Sequence, residues 1–230
     1  MTSMNTLARW TGLCYLAIAL IGGPAYFIVS EQMIVSDDAV ATAQNIIDGE
    51  LYFRLGTAAW LVTMLLDVLV AYFLYTIFSQ KAPRLALVST LFRLVYVAIH
   101  GAALIGFFGI LSLLGPTANE ATREIMLLAN FHANGFMVSL FFFGIHLILV
   151  GAMIIQTGMV PKFIGGLLLL AGMAYSIDTA FLALSHPESA ISRHVDLFVT
   201  IAATAGEVSF LLWLLVFGVR QTPPLASGAG

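Results

Sequence analysis

The stretch RLALVSTLFRLVYVAIHGAALIGFFGILSLL, residues 84–114, decides the fold class of this chain because it is apolar almost from end to end. A helix needs roughly 20 such residues to cross the hydrocarbon core of a bilayer. Five more stretches of this kind occur in the chain, which is 60% hydrophobic and only 9% charged. Soluble domains average about 25% charged residues, so an ordinary globular protein is excluded.

The six apolar stretches predict an all-α fold, a polytopic membrane bundle of six transmembrane helices. Proline and glycine stand between several of the stretches, where they favour helix ends. Residues 1–222 are therefore predicted to form one transmembrane domain, and the small-residue tail 223–230 is predicted to be disordered. The spans are predicted near residues 8–30, 52–79, 84–114, 125–156, 162–185 and 194–220.

The charged residues divide between the two sides of this bundle. Lysine and arginine mark the cytoplasmic side of membrane proteins, and here the termini and the even-numbered connections carry bases without acids. Both termini are therefore predicted to be cytoplasmic, in a cytoplasmic membrane, with the acidic segment 37–50 outside. The inner bases are Arg9, Lys81, Arg84, Lys162 and Arg220.

The first outer connection is the longest and carries a helix start signal. Ser36 followed by Asp37 and Asp38 is typical of an N-cap with acidic residues in the first turn. Apolar residues then recur at helical spacing, which predicts a short helix at the outer surface.

Polar residues inside the spans are the candidate functional residues, because lipid is the least favourable environment for them. An axial rise of about 1.5 Å per residue places Asp67, Arg93 and His146 near the bilayer midplane. An unpaired arginine there is costly, so Asp67 is the expected counter-ion of Arg93, with His146 as a hydrogen-bond partner. This set has two interpretations, an ion pair that orders the helices and a working relay.

A second set is predicted in the outer half of the membrane. Arg193, Asp196, Thr200, Thr204 and Glu207 fall on one face of the sixth span and form a polar lane that stops at Glu207. Two carboxyls at similar depth repel in a low-dielectric environment, so a shared proton or a bound cation is expected. The predicted ligand or proton pocket contains Glu207, Asp178, His100, His132, Tyr175 and Thr204, of which Asp178, Glu207 and His100 are the candidate metal ligands.

The chain resembles a bacterial membrane family named domain of unknown function, number four-three-eight-six. The resemblance covers nearly the whole chain and implies a multi-helix membrane protein without an assigned activity. It is carried by the motifs Leu51 to Gly56 with Asp67, Phe92-Arg93, Phe143-Gly144-Ile145-His146 with Gly151, Gly172 to Asp178, and Gly206-Glu207 with Trp213-Leu214.

These residues favour an outward-facing intramembrane polar pocket that binds a small or lipophilic ligand, with proton movement as an accompanying hypothesis. One alternative is an intramembrane metal-assisted hydrolase that uses histidine and carboxylate ligands. Another is a structural or accessory membrane subunit. The chain lacks nucleophile, phosphate-binding and dinucleotide motifs, so an enzymatic activity and a cofactor are not assigned. The expected partners are membrane lipid and the ligand, and the scattered bases exclude nucleic acid.

Overall fold

The computed structural model describes residues 3–116, 118–184 and 190–220, without the side chains of residue 183 and residues 190–197. Within these ranges the chain forms seven α-helices and no strand. A π-helical segment, Phe27–Met33, continues the first helix, and a short 3-10 turn, Ala118–Glu120, precedes the fifth. The helices are α1 (Met4–Tyr26), α2 (Ala39–Asp48), α3 (Glu50–Phe78), α4 (Pro83–Leu113), α5 (Thr122–Thr157), α6 (Lys162–Leu184) and α7 (Ala190–Val216).

Six of these helices are long and apolar enough to cross a membrane, so the predicted all-α fold with six spans is confirmed for the described part of the chain. Their ends follow local chemistry. Pro83 lies in the first turn of α4, where its missing N–H costs nothing. Gly158 adopts a left-handed conformation (φ 65°) that ends α5. The predicted disordered tail 223–230 lies outside the described residues.

The predicted short helix is α2, but its N-cap differs from the prediction. The Asp38 carboxylate accepts a hydrogen bond from the Ala41 backbone N–H (2.8 Å), so Asp38 rather than Ser36 is the cap. Asp37 has a positive φ of 61°. A residue in this left-handed conformation cannot lie in the first turn of a right-handed helix, so α2 begins after it.

The spanning helices form a closed arrangement. α1 packs against α3, and each later helix packs against the next one along the chain, from α3 to α7. Finally, α7 packs against α1, which closes the circle. Every spanning helix therefore has one face toward a common interior, where polar side chains from different helices can meet.

Hydrogen bonds between loops and termini define the two ends of the bundle. Asn5 accepts a hydrogen bond from the backbone N–H of Val219 (3.0 Å). The Arg220 N–H donates to the carbonyl of Met159 (2.8 Å), in the turn between α5 and α6. The turn after α3 lies at the same end, because Gln80 contacts the Met4 sulfur. The opposite end carries α2, which packs against α5 and α3.

Candidate functional site

Arg93 is the centre of a buried polar network, and only 1% of its surface is exposed. Its Nη2 atom donates to the Asp67 carboxylate and forms a buried ion pair. The Nη1 atom donates to the Tyr15 hydroxyl (2.8 Å) and to Nε2 of His146 (3.0 Å). The guanidinium carbon also lies over the rings of Tyr15 (5.0 Å to the centroid) and Phe143 (5.4 Å), in cation–π geometry.

The hydrogen bonds of His146 define its tautomer. Its Nδ1 atom lies 2.9 Å from the Ser89 carbonyl oxygen, which only accepts, so Nδ1 carries the proton. Its Nε2 atom is then free to accept from the Arg93 guanidinium, which only donates. The geometry therefore fits a neutral imidazole that orients Arg93.

A second carboxyl belongs to the same interior. The Tyr175 hydroxyl donates to Glu207 Oε1 (3.0 Å), and the Glu207 carboxyl interacts electrostatically with both Arg93 and Asp67. Tyr96, one turn after Arg93, hydrogen-bonds to the Asp67 carboxyl. The Arg93 network thus has a member from every spanning helix, in chain order Tyr15, Asp67, Arg93 with Tyr96, His146, Tyr175 and Glu207.

A large cavity lies beside this network. Its volume is about 940 Å³, and five of the six spanning helices contribute to its wall. Tyr175 belongs both to the cavity wall and to the Arg93 network, because its hydroxyl donates to Glu207. The wall consists of Ile18, Ala19, Gly22, Gly23, Tyr26, Glu31, Trp60, Phe136, Met137, Leu140, Tyr175, Asp178, Val199, Thr200 and Thr204.

A second cavity, of about 660 Å³, lies toward the α2 end and shares Tyr26, Glu31, Phe136 and Met137 with the first. His132 is part of its wall. Two of the shared residues lie on α5, and Glu31 lies in the π-helical segment. Such segments often occur at functional sites, since they widen a helix locally and redirect its side chains.

The two histidines of the predicted outer pocket lie in an aromatic cluster. The rings of His100 and His132 are 5.8 Å apart between centroids, and Trp60 lies 4.8 Å from His100. Phe107 stacks on His132 at 3.7 Å, and Phe136 lies 4.7 Å from His100. Both histidines are almost fully buried, at 1% and 2% exposure.

The structure brings Tyr175 and Glu207 of the predicted pocket into contact and places its two histidines together in the aromatic cluster. Tyr175, Asp178 and Thr204 line the 940 Å³ cavity, whereas His100 and His132 lie in the aromatic cluster. Glu207, assigned to the outer set by axial counting, interacts with the Arg93–Asp67 pair through the bundle interior. The side chains of Arg193 and Asp196, which begin the predicted lane, lie outside the described residues.

The candidate metal ligands from the sequence are Asp178, Glu207 and His100. In the described ranges no group of three or more histidine, cysteine, aspartate or glutamate side chains is close enough to hold a metal ion. The sequence prediction combined similar axial depth with the adjacency of consecutive helices, and axial depth does not determine lateral distance.

Two members of the Arg93 network, Tyr15 and Tyr96, were not among the predicted site residues. Tyr15 lies in the first apolar stretch, 8% exposed, and receives a hydrogen bond from Arg93. A single tyrosine in an apolar span carries no signal that separates it from the other tyrosines of the chain. Its role depends on α1 being adjacent to α3 and α7, which is a tertiary feature.

Comparison with known proteins agrees with this architecture. A family model described as "Domain of unknown function (DUF4386)" matches residues 10–218. An uncharacterized protein of Archaeoglobus fulgidus is 29% identical over 155 residues, which cover 67% of this chain and 78% of that protein. No solved structure matches the chain significantly. The family resemblance inferred from the sequence is confirmed: the chain, whose described residues contain six helices long and apolar enough to cross a membrane, belongs to the DUF4386 family, a family of unknown function.

Proposed function

We propose that this membrane protein binds a small or lipophilic ligand in the 940 Å³ cavity and that occupancy is sensed by the Arg93 network. One observation carries the proposal. Tyr175 lies in the cavity wall, and its hydroxyl donates to Glu207, whose carboxyl interacts with the Arg93–Asp67 ion pair. A ligand that contacts Tyr175 therefore acts on a group already connected to all six spanning helices.

The chemistry of the wall supports an amphipathic ligand. Ligand pockets in proteins have volumes of roughly 300–1,000 Å³ and combine an apolar lining with a few polar groups. Apart from Tyr26 and Glu31 toward the α2 end, α1 and α5 contribute apolar residues such as Ile18 and Leu140. The polar residues Tyr175, Asp178 and Thr204 come from α6 and α7. One side of the cavity thus suits an apolar chain, and the other suits a hydrogen-bonding group.

The link to Glu207 gives ligand binding an energetic consequence. Tyr175 has one hydroxyl proton, which it donates to Glu207. A ligand atom that accepts the Tyr175 hydrogen bond in place of Glu207 leaves the Glu207 carboxyl without that bond. Glu207 then interacts more strongly with Arg93. Such a change would alter the interactions of the Arg93–Asp67 pair. Proton movement at Glu207 is the accompanying hypothesis.

Native mass spectrometry of the protein released from lipid tests the proposal. Gly23 lies in the cavity wall, and a Cβ added there meets nothing within 4 Å. Gly23→Trp therefore places an indole in the cavity without a clash of its Cβ. Gly166 on α6 has the same open surroundings outside the cavity wall, so Gly166→Trp is the matched control. We expect a bound lipophilic adduct on the native protein and on Gly166→Trp, and its loss on Gly23→Trp. Equal adducts on all three, or none, would favour the accessory-subunit alternative.

The orientation is a second part of the proposal. We infer that both termini are cytoplasmic, since Lys81, Lys162 and Arg220 lie at the end that joins the termini, and the acidic α2 segment lies at the other. Cys14 is the single cysteine, so Cys14→Ala provides a background for labelling. Ser36→Cys should react with a membrane-impermeant maleimide in spheroplasts, whereas Gln80→Cys should react only after permeabilisation. The opposite pattern would invert the topology and place the cavity on the cytoplasmic side.

A further inference from the structure

Trp60, His100 and His132 form a compact group, here named the histidine–indole cluster, at the wall between the two cavities. Trp60 lies in the wall of the larger cavity, and His132 lies in the wall of the smaller one. The His100 ring completes a triangle with them, 4.8 Å from Trp60 and 5.8 Å from His132, while Trp60 and His132 are 6.3 Å apart. Phe136 belongs to both cavity walls and packs on His100 at 4.7 Å.

Among the described residues, no protein group forms a hydrogen bond with four buried polar atoms of this cluster. They are Nε1 of Trp60, both ring nitrogens of His100 and Nε2 of His132. Buried polar groups in proteins are hydrogen-bonded in the great majority of cases, so four such atoms in one cluster require an explanation. The side chains are buried by aromatic rings, and these rings offer no strong acceptor or donor for the nitrogens.

The partner that these atoms lack is an uncharged one. In the described part of the chain, the only titratable group that interacts with His100 is His132. Among the described residues, neither histidine interacts with a carboxylate or a cation. A charged group in such a dry site would lose its hydration without a counter-ion. The indole N–H only donates, and a neutral imidazole both donates and accepts. A hydroxyl donates one hydrogen bond and accepts up to two, so it can satisfy up to three of these four atoms.

We infer that the histidine–indole cluster is the recognition site for an uncharged hydroxyl group carried on an apolar chain, that is, for a neutral lipid alcohol. The inference rests on the proposed function, because the chain of this ligand occupies the 940 Å³ cavity at the Trp60 wall. The hydroxyl oxygen accepts a hydrogen bond from the Trp60 N–H, and the hydroxyl donates a hydrogen bond to the unprotonated ring nitrogen of His100. Selection against charged amphiphiles follows from the aromatic surroundings of the cluster.

Trp60 itself provides the measurement. The chain has three tryptophans, so Trp10→Phe with Trp213→Phe leaves Trp60 as the single fluorophore. This protein, in phosphatidylcholine nanodiscs, is titrated with four probes that share a twelve-carbon chain: dodecanol, dodecane, dodecylammonium and laurate. We expect dodecanol to shift Trp60 emission to longer wavelength, as the indole N–H gains an acceptor, and dodecane to cause no shift.

Two variants separate recognition from structure. His100→Phe keeps a ring in the aromatic cluster and removes both unpartnered nitrogens, and His132→Phe removes its Nε2 in the same way. His100→Phe should weaken dodecanol binding about tenfold, the value of one hydrogen bond. The same substitution should leave the thermal midpoint of the ligand-free protein unchanged or raise it, because it removes buried groups that have no partner. A histidine with a purely structural role would instead lower that midpoint.

The outcomes distinguish this inference from the proposed function. Binding of laurate or dodecylammonium in preference to dodecanol would retain the cavity and overturn the neutral-alcohol assignment. Equal dodecanol binding by the parent, His100→Phe and His132→Phe would also overturn it. If no probe binds and Gly23→Trp keeps the native adduct, the proposed function is overturned as well. A lowered midpoint in His100→Phe with unchanged dodecanol affinity would assign the cluster to packing.

Discussion

Removal of Arg93 should destabilise the protein far more than removal of the whole ion pair. In Arg93→Met the Asp67 carboxyl stays in the interior, where 2% of the residue is exposed, without its counter-ion. Breaking a buried pair on one side costs about 3–5 kcal/mol, because a buried charge is left uncompensated. Asp67→Leu should cost a similar amount, since it leaves the guanidinium unpaired.

The double variant Arg93→Met/Asp67→Leu should recover most of this loss. It removes both charges, but the Tyr15 hydroxyl and His146 Nε2 lose the bonds that Arg93 donated, and Tyr96 loses its bond to Asp67. Those polar groups leave a residual cost of about 1–3 kcal/mol. The coupling free energy is the sum of the two single losses, about 3–5 kcal/mol each, minus the loss in the double variant. It is therefore expected to be about 3 kcal/mol or more.

Reversible unfolding in mixed detergent micelles, followed by tryptophan fluorescence, measures the four free energies of this cycle. The chain contains its own control, the pair Arg54–Glu50, which is 2.7 Å long and about half exposed on each side. A solvent-exposed i,i+4 pair contributes about 0.3–0.5 kcal/mol, so its cycle should show little coupling. A coupling for Arg93 and Asp67 as small as that of the control would refute the argument that burial makes this pair interdependent.

Two further predictions concern packing and capping. In Gly151→Ala the new Cβ lies 2.5 Å from the Gly165 carbonyl oxygen, a backbone atom that cannot move away, so the thermal midpoint should fall by the equivalent of about 1–3 kcal/mol. Gly166→Ala, which has open space around its Cβ, is the control and should match or exceed the native midpoint. Equal losses in both variants would contradict the close contact between α5 and α6. Asp38→Ala removes the bond to the Ala41 N–H and should destabilise α2 by about 1 kcal/mol, seen as faster amide exchange in the first turn of α2, and unchanged exchange there would contradict the cap.

The number and positions of the spanning helices could be predicted from the sequence because the signal is local. An apolar run of sufficient length defines a span without reference to other helices. The predicted spans 84–114 and 125–156 differ from α4 and α5 by one to three residues at each end. The spans 8–30 and 194–220 differ by three or four residues at each end from the observed Met4–Met33 and Ala190–Val216. At the start of α2 the cap is Asp38, after Asp37 in its left-handed conformation, and backbone conformation of this kind is not encoded by residue type alone.

The candidate site divides along the same line. Depth counting along each helix placed Asp67 and Arg93 at one level, and the cost of an unpaired membrane charge named each as the partner of the other. Depth says nothing about the rotation of a helix or its neighbours. Glu207 was therefore grouped with Asp178 by depth, and the tertiary structure adds that Glu207 accepts a hydrogen bond from Tyr175 and interacts directly with Arg93.

By itself, then, the sequence determined the membrane fold, the span positions and the identity of most buried polar residues, because hydropathy and the cost of buried charge are properties of single segments. The tertiary structure alone decided which of these residues meet. The packing of α1 within the bundle, against α3 and α7, brings Tyr15 to Arg93, and the packing of α3, α4 and α5 brings Trp60, His100 and His132 into one cluster. Such contacts join residues far apart in the chain, and they depend on helix rotation and neighbour choice, which are set by the packing of the whole bundle.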